Sequence, residues 1–118
     1  MQVKTPGPDT PINSLSGGNR QKVMMGRLRL MRPRVYLLNE PTRGVDISTK
    51  PQLLSIIRRD LASHSAVIMT SESEEELVDV CDRVLVFYKG RIVRELQRSA
   101  PDFTASEIYR AGQGVGVL

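Results

Sequence analysis

A chain of 118 residues, 40% apolar and 25% charged, has the length and composition of one soluble globular domain or part of one. Aromatics at 4% with no Trp weigh against binding single-stranded nucleic acid by base stacking, and a lone Cys81 excludes an internal disulfide and suits a reducing compartment. The net charge of +4 gathers in Arg20, Lys22, Arg27, Arg29, Arg32 and Arg34, which read first as a solvated helix face docking onto something acidic and second as a surface for nucleic acid or anionic membrane.

Residues 1–14 carry Pro6, Gly7, Pro8 and Pro11 and are expected to form an extended lead-in without the apolar core of a signal peptide. From Ser16 to about Met31, Val23, Met24, Leu28 and Met31 recur at helical spacing, and Pro33 ends the helix. Val35 to Leu38 is a continuous apolar run, predicted as a strand buried on both faces of a parallel sheet. Pro41 to Ile47 is a loop. A second helix is predicted from about Thr49 to Ala62, with Pro51 in its first turn and Leu53, Leu54, Ile57 and Leu61 on one face. His64 is expected in a solvent-exposed loop before a second buried strand, Ala66 to Met69.

Ser73 and Glu76 make a capping box opening a short helix to Val80, next to which Cys81 is expected as a buried small apolar residue. Arg83 to Tyr88 and Arg91 to Leu96 flank Lys89-Gly90 and predict an antiparallel hairpin. The longest apolar run, Val84 to Tyr88, falls far short of the roughly 20 residues that span a bilayer. Thr104 and Glu107 repeat the capping box, so a last helix is predicted to about Ala111, with Gly112 to Leu118 disordered. Strands alternating with helices imply an α/β fold with a parallel sheet.

Two stretches carry chemistry. In Leu15-Ser16-Gly17-Gly18-Asn19-Arg20-Gln21, a Ser-Gly-Gly turn opens a helix, whose unpaired backbone N–H groups and positive dipole end favour an anion such as phosphate. Taken alone, the same residues are an ordinary N-cap and tight turn. In Val35 to Glu40 an apolar strand delivers a carboxylate to its C-terminal end, the place where α/β sheets bind their ligands. No G-x-x-x-x-G-K-[ST] phosphate loop occurs in the sequence.

The composite of Leu-Ser-Gly-Gly-Asn-Arg-Gln-Lys-Val, then an apolar strand, then Asn-Glu-Pro-Thr-Arg-Gly-Val-Asp, resembles the C-terminal half of an ATP-binding cassette (ABC) ATPase over roughly residues 3 to 96. Thr-Arg-Gly-Val-Asp and Leu-Ser-Gly-Gly-Asn are similar to the second cassette of tandem-cassette sugar importers. The resemblance implies a partial P-loop NTPase fold: a parallel sheet with flanking helices, without the phosphate-loop portion. It divides the chain into the lead-in to residue 14, the cassette portion 15–98, and a C-terminal helix and tail, 99–118. By this resemblance Ser16, Gly17 and Gly18 are the signature that contacts the γ-phosphate of ATP held by an opposing cassette, with Arg20 and Gln21 in support. Glu40 is the Walker B general base that polarises the attacking water, and Asp46 belongs to the D-loop that crosses to the partner's site.

Two departures from the family stand out. Asn39 replaces the usual aspartate, leaving an uncharged and indirect contact to Mg²⁺, and Glu72 occupies the position of the usual switch histidine. Second cassettes of sugar importers often lack that histidine as well. The implied cofactors are ATP and Mg²⁺, shared with a partner carrying Walker A. The implied partners are a phosphate-loop-bearing cassette half, a membrane permease and, indirectly, a solute-binding protein, with no nucleic acid. The implied location is cytoplasmic, peripheral on the inner face of the membrane. The resulting expectation is a component, or fragment, of an ABC importer for a sugar or similar solute that is inactive alone and that, isolated, aggregates or needs a partner. A non-catalytic interaction module or truncated remnant, and a DNA-associated ABC ATPase head, are the alternatives from other classes.

Overall fold

A computed structural model describes residues 17–115. It divides into two compact units, one ending at Thr70 and one beginning at Ser71.

In the first unit, helix α1 (Gly17–Met31) is followed by strand β1 (Val35–Asn39), helix α2 (Lys50–Ser55) and strand β2 (Ala66–Thr70). Arg32, at φ 47°, takes the left-handed conformation that ends α1, and Pro33 follows where no helix can continue. Helix α2 does not stop at Ser55: it widens into a π turn over Ile56–Asp60 and tightens into a 3₁₀ turn over Leu61–Ser63. Its apolar face is as predicted, with Leu53, Leu54, Ile57 and Leu61 all buried.

Strands β1 and β2 pair in parallel, Val35 opposite Ala66 and Asn39 opposite Thr70. Ala66 N–H donates to the Arg34 carbonyl at 3.0 Å, and the Ser65 hydroxyl donates to the Pro33 carbonyl, fixing the start of the register. The expectation of strands buried on both faces is corrected here. Tyr36 and Leu38 point inward, but Leu37 is 76% and Ile68 60% exposed, and Val35 is exposed with them. A continuous apolar run is what a doubly covered strand needs, yet among the described residues only one face is covered.

In the second unit, α3 (Glu74–Val80), β3 (Arg83–Tyr88), β4 (Arg91–Gln97) and α4 (Ala105–Gly112) follow the predicted order. Both capping boxes form: the Ser73 side chain accepts from Glu76 N–H and the Thr104 side chain from Glu107 N–H. Lys89 (φ 47°) and Gly90 (φ 77°) are both left-handed, the requirement of a two-residue type I′ hairpin turn, and the antiparallel register slips between Val86 and Phe87 at a bulge. Val84, Val86 and Leu96 pack with Ile108 and Ala111, and Leu77, Val78, Cys81, Val93 and Phe103 close the cluster. Cys81 therefore sits at the edge of an apolar core, half-buried.

Arg94 ties this unit together. Its guanidinium donates to Glu107 at 2.7 Å and to Asp102 at 2.9 Å, and these two carboxylates, Glu107 foremost, raise its pKa above the ordinary arginine value. Because the folded-state pKa is raised, the contribution made by the Arg94 charge is present throughout the neutral range and is lost as the pH rises into strong alkali. Residues 112–115, expected to be disordered, instead fold back: Gly114 N–H reaches the Ala111 carbonyl, and Val115 N–H the Arg110 carbonyl. Gly114 (φ 80°) lies so close to the Tyr88 ring that an added Cβ would sit 2.5 Å from Cζ. Residues 116–118 fall outside the described residues.

Candidate functional site: the head of α1 and the turn after β1

Gly17 and Gly18 are the first two residues of α1, so their backbone N–H groups belong to the open donor end of a helix fifteen residues long. Ser16 lies outside the described residues. Arg20 is exposed on the next turn.

Glu40 immediately follows β1 and departs from it abruptly, at φ 49°. A left-handed conformation costs a non-glycine residue about 1–2 kcal/mol, and the proline that follows restricts it further. Glu40 holds this conformation because both of its peptide groups are tied. Its N–H donates to the Thr70 carbonyl at 3.0 Å and lies 3.2 Å from Thr70 Oγ1, while its own carbonyl accepts from Arg43 N–H at 3.1 Å. The Glu40 carboxylate, mostly buried, faces the Arg43 guanidinium at 3.9 Å. Thr42 and Val45 are buried, and Gly44 supplies the positive φ (74°) that lets the turn close. Asp46 follows with its side chain exposed, its carbonyl accepting from Thr49 and Lys50 N–H to start α2.

Asn39 ends β1, exposed, and its Oδ1 accepts from the Thr70 hydroxyl at 2.5 Å. Magnesium takes oxygen ligands in a strict octahedron and keeps several waters. Asn39, Glu40 and Thr70 offer a few oxygens, those of the Asn39 and Thr70 side chains already engaged with one another, which fits an outer-shell contact and not a coordination cage. Among the described residues no group of three or more His, Cys, Asp or Glu is placed to hold a metal.

Gln21, on the first turns of α1, reaches this same turn: its Nε2 donates to the Pro41 carbonyl at 2.7 Å. The far end of α1 is held too, by a bond the sequence did not announce. Tyr36, 2% exposed on β1, donates its hydroxyl proton to the Leu28 carbonyl at 2.7 Å. That proton is spent, so the 2.9 Å contact between Tyr36 Oη and His64 Nε2 requires the histidine to donate. His64 is thus half-buried and bonded, not the solvent-exposed loop residue expected. Thr70 and Tyr36 are the contributors that sequence reasoning missed. Both look like unremarkable strand residues until the parallel register sets Thr70 opposite Asn39 and the helix end comes over Tyr36.

Glu72 lies in the second unit, exposed, one residue before the Ser73 cap. In that position an acidic residue is favoured by the helix dipole alone.

No family model matches the chain. Relatives do. The chain is 40% identical over 116 residues to the ribose import ATP-binding protein RbsA 1 of Rhizobium etli, covering 98% of this chain and 22% of that protein. It is 47% identical over 96 residues to ribose import ATP-binding protein RbsA of Chelativorans sp., covering 81% and 19%. It is 45% identical over 92 residues to the galactose/methyl galactoside import ATP-binding protein MglA of Clostridium perfringens, covering 78% and 18%. The chain thus spans about a fifth of the length of these relatives. Among solved structures, an ATP-binding cassette of an ABC transporter superposes with a TM-score of 0.68 at 20% identity, over 89% of this chain and 39% of that one. An inward-facing putative metal-chelate type ABC transporter gives 0.70 at 24%, over 85% and 40%. With a partial ABC ATPase fold and relatives among the sugar-import ATP-binding proteins, the chain belongs to the ABC ATPase family.

Proposed function

We propose that the chain is the C-terminal part of a cassette, of the second-cassette type, in the ATP-driven import of a sugar or similar small solute. Its head of α1, with Ser16, Gly17 and Gly18, grips the γ-phosphate of ATP lodged on an opposing phosphate-loop-bearing half. Glu40 serves the other nucleotide position as general base, and Asp46 reaches across to align the partner. The supporting observation is the Glu40 turn: a carboxylate at a strand end, held in a strained conformation by Thr70 and Arg43, with α1 bonded onto the next residue. Strain of this kind persists only where surrounding contacts over-determine it, and such residues gather at functional sites.

ATP supplies the phosphoryl group, and Mg²⁺ supplies charge neutralisation between its phosphates. The chain's residues position and polarise. The second lone pair of Asn39 Oδ1 would accept from a water of a bound metal's shell without adding charge, which would weaken Mg²⁺ affinity relative to an aspartate. Among the described residues no helix is long and apolar enough to cross a membrane. In this reading closure is passed to a separate permease from a cytoplasmic, peripheral position.

The test supplies the phosphate-loop portion to the chain with ATP and Mg²⁺ and compares the wild type with Glu40→Gln. A general base contributes about a hundredfold or more, so hydrolysis should fall by at least that factor while nucleotide-dependent association is kept. Equal hydrolysis by the two proteins would remove Glu40 from the reaction. Asn39→Asp should lower the Mg²⁺ concentration needed for half-maximal hydrolysis, and an unchanged Mg²⁺ dependence would show that the charge is irrelevant here.

A further inference from the structure

The contact between Gln21 and Pro41 joins two places that the proposed function uses at different nucleotides. One is the head of α1, which faces a phosphate on the partner. The other is the turn that carries Glu40. Around that turn three consecutive ties hold the strained residue: Glu40 N–H to Thr70, Arg43 N–H to the Glu40 carbonyl, and Gln21 Nε2 to the Pro41 carbonyl. The first two lie within the strands and the turn itself, and only the third comes from α1. Pro41 makes that third tie stiff, because its ring fixes φ and it has no N–H of its own to take up slack.

We propose that Gln21 is a positioning residue that couples the two places: engagement of a phosphate at the head of α1 is passed through the Gln21–Pro41 bond to the Glu40 turn. This rests on the reading given under the proposed function and adds a direction of communication to it. It gives Gln21 a task other than direct nucleotide contact, since one of its two Nε2 protons is given to the Pro41 carbonyl. The opposite end of α1 is anchored by Tyr36 on the strand that leads to Glu40. The helix is therefore tied at both ends to the segment it signals to, and a displacement of its head is resisted by that segment and not absorbed by free rotation.

Amide hydrogen exchange on the 118-residue chain reads the link directly. Without the donor, in Gln21→Ala or the near-isosteric Gln21→Glu, exchange at the Glu40 and Arg43 amides should quicken by about tenfold, the scale of one net hydrogen bond. The Cys81 and Ile108 amides of the second unit should not change. Unaltered exchange at Glu40 and Arg43 would overturn the proposal.

A second arm adds a phosphate-loop-bearing cassette half with ATP and Mg²⁺. In the wild type, association should slow exchange at Glu40 and Arg43. In Gln21→Ala, which adds no charge beside the phosphate, association should weaken by no more than about threefold, less than the loss of a charge-assisted hydrogen bond, with that slowing absent. Association lost together with an intact exchange response would mean that Gln21 touches the nucleotide itself, and the coupling role would fall. If the wild-type chain shows no nucleotide-dependent association, the proposed function fails instead, and the exchange arm alone decides whether the link exists.

Discussion

The two units are built on opposite terms. In the second, the turns and helix starts are local, two capping boxes and a two-residue type I′ turn, and the longer ties come from two arginines, Arg94 to Asp102 and Glu107 and Arg98 to the Val78 and Cys81 carbonyls. In the first, the bonds around the candidate site run farther along the chain, from Gln21 to Pro41, Tyr36 to His64, and Asn39 and Glu40 to Thr70. The first unit also holds the left-handed Glu40, whereas the left-handed residues of the second lie in its hairpin turn and its C-terminal turn. The candidate chemistry sits where the distant Thr70 and the nearby Arg43 together hold a carboxylate in a conformation that it would not adopt by itself.

The contrast can be broken or sharpened by substitution. The largest effect is expected in the second unit's core: Leu96→Ala, fully buried on β4, should cost about 2–5 kcal/mol in denaturant unfolding. Leu85→Ala, 40% exposed on β3, should cost less than half as much; equal costs would mean that the open side of the hairpin is covered in solution. Next comes Tyr36→Phe in the first unit. It strands the Leu28 carbonyl and removes the acceptor of the His64 Nε2 proton, and should cost about 1–3 kcal/mol. A neutral result would show that α1 is not anchored through this hydroxyl.

Thr104→Ala removes one N-cap and should cost about 1 kcal/mol, with Ser73→Ala behaving alike. The smallest effect is expected from Leu37→Thr on the bare face of β1, within about 0.5 kcal/mol of wild type but with less aggregation in light scattering. A loss of several kcal/mol there would mean that this face is packed after all.

The same division governs what could be read from the sequence. Strand β3, both capping boxes and the Lys89-Gly90 turn follow from residues within a few positions of one another, and their limits were predicted almost to the residue. The end of α1 at Met31 was legible for the same reason, with Pro33 two residues on. The apolar run of β1 was read correctly as a strand and wrongly as covered on both faces, because hydrophobicity reports what a face requires and not what is present to meet it. Glu40 was legible from its place at the end of an apolar strand, its role as a base and the interest of Gln21 through the resemblance alone. Neither the strain on Glu40 nor the Gln21–Pro41 bond has a local signal. His64 was misplaced because its partner, Tyr36, is 28 residues away.

The most direct measurement of the central claim is nucleotide binding by the chain with and without a phosphate-loop-bearing cassette half, followed by sedimentation and calorimetry. The account predicts no tight binding of ATP and Mg²⁺ by the chain alone, association with the cassette half only when ATP and Mg²⁺ are present, and loss of that association in Ser16→Arg. Tight binding of ATP by the isolated monomer, or association indifferent to nucleotide, would contradict it.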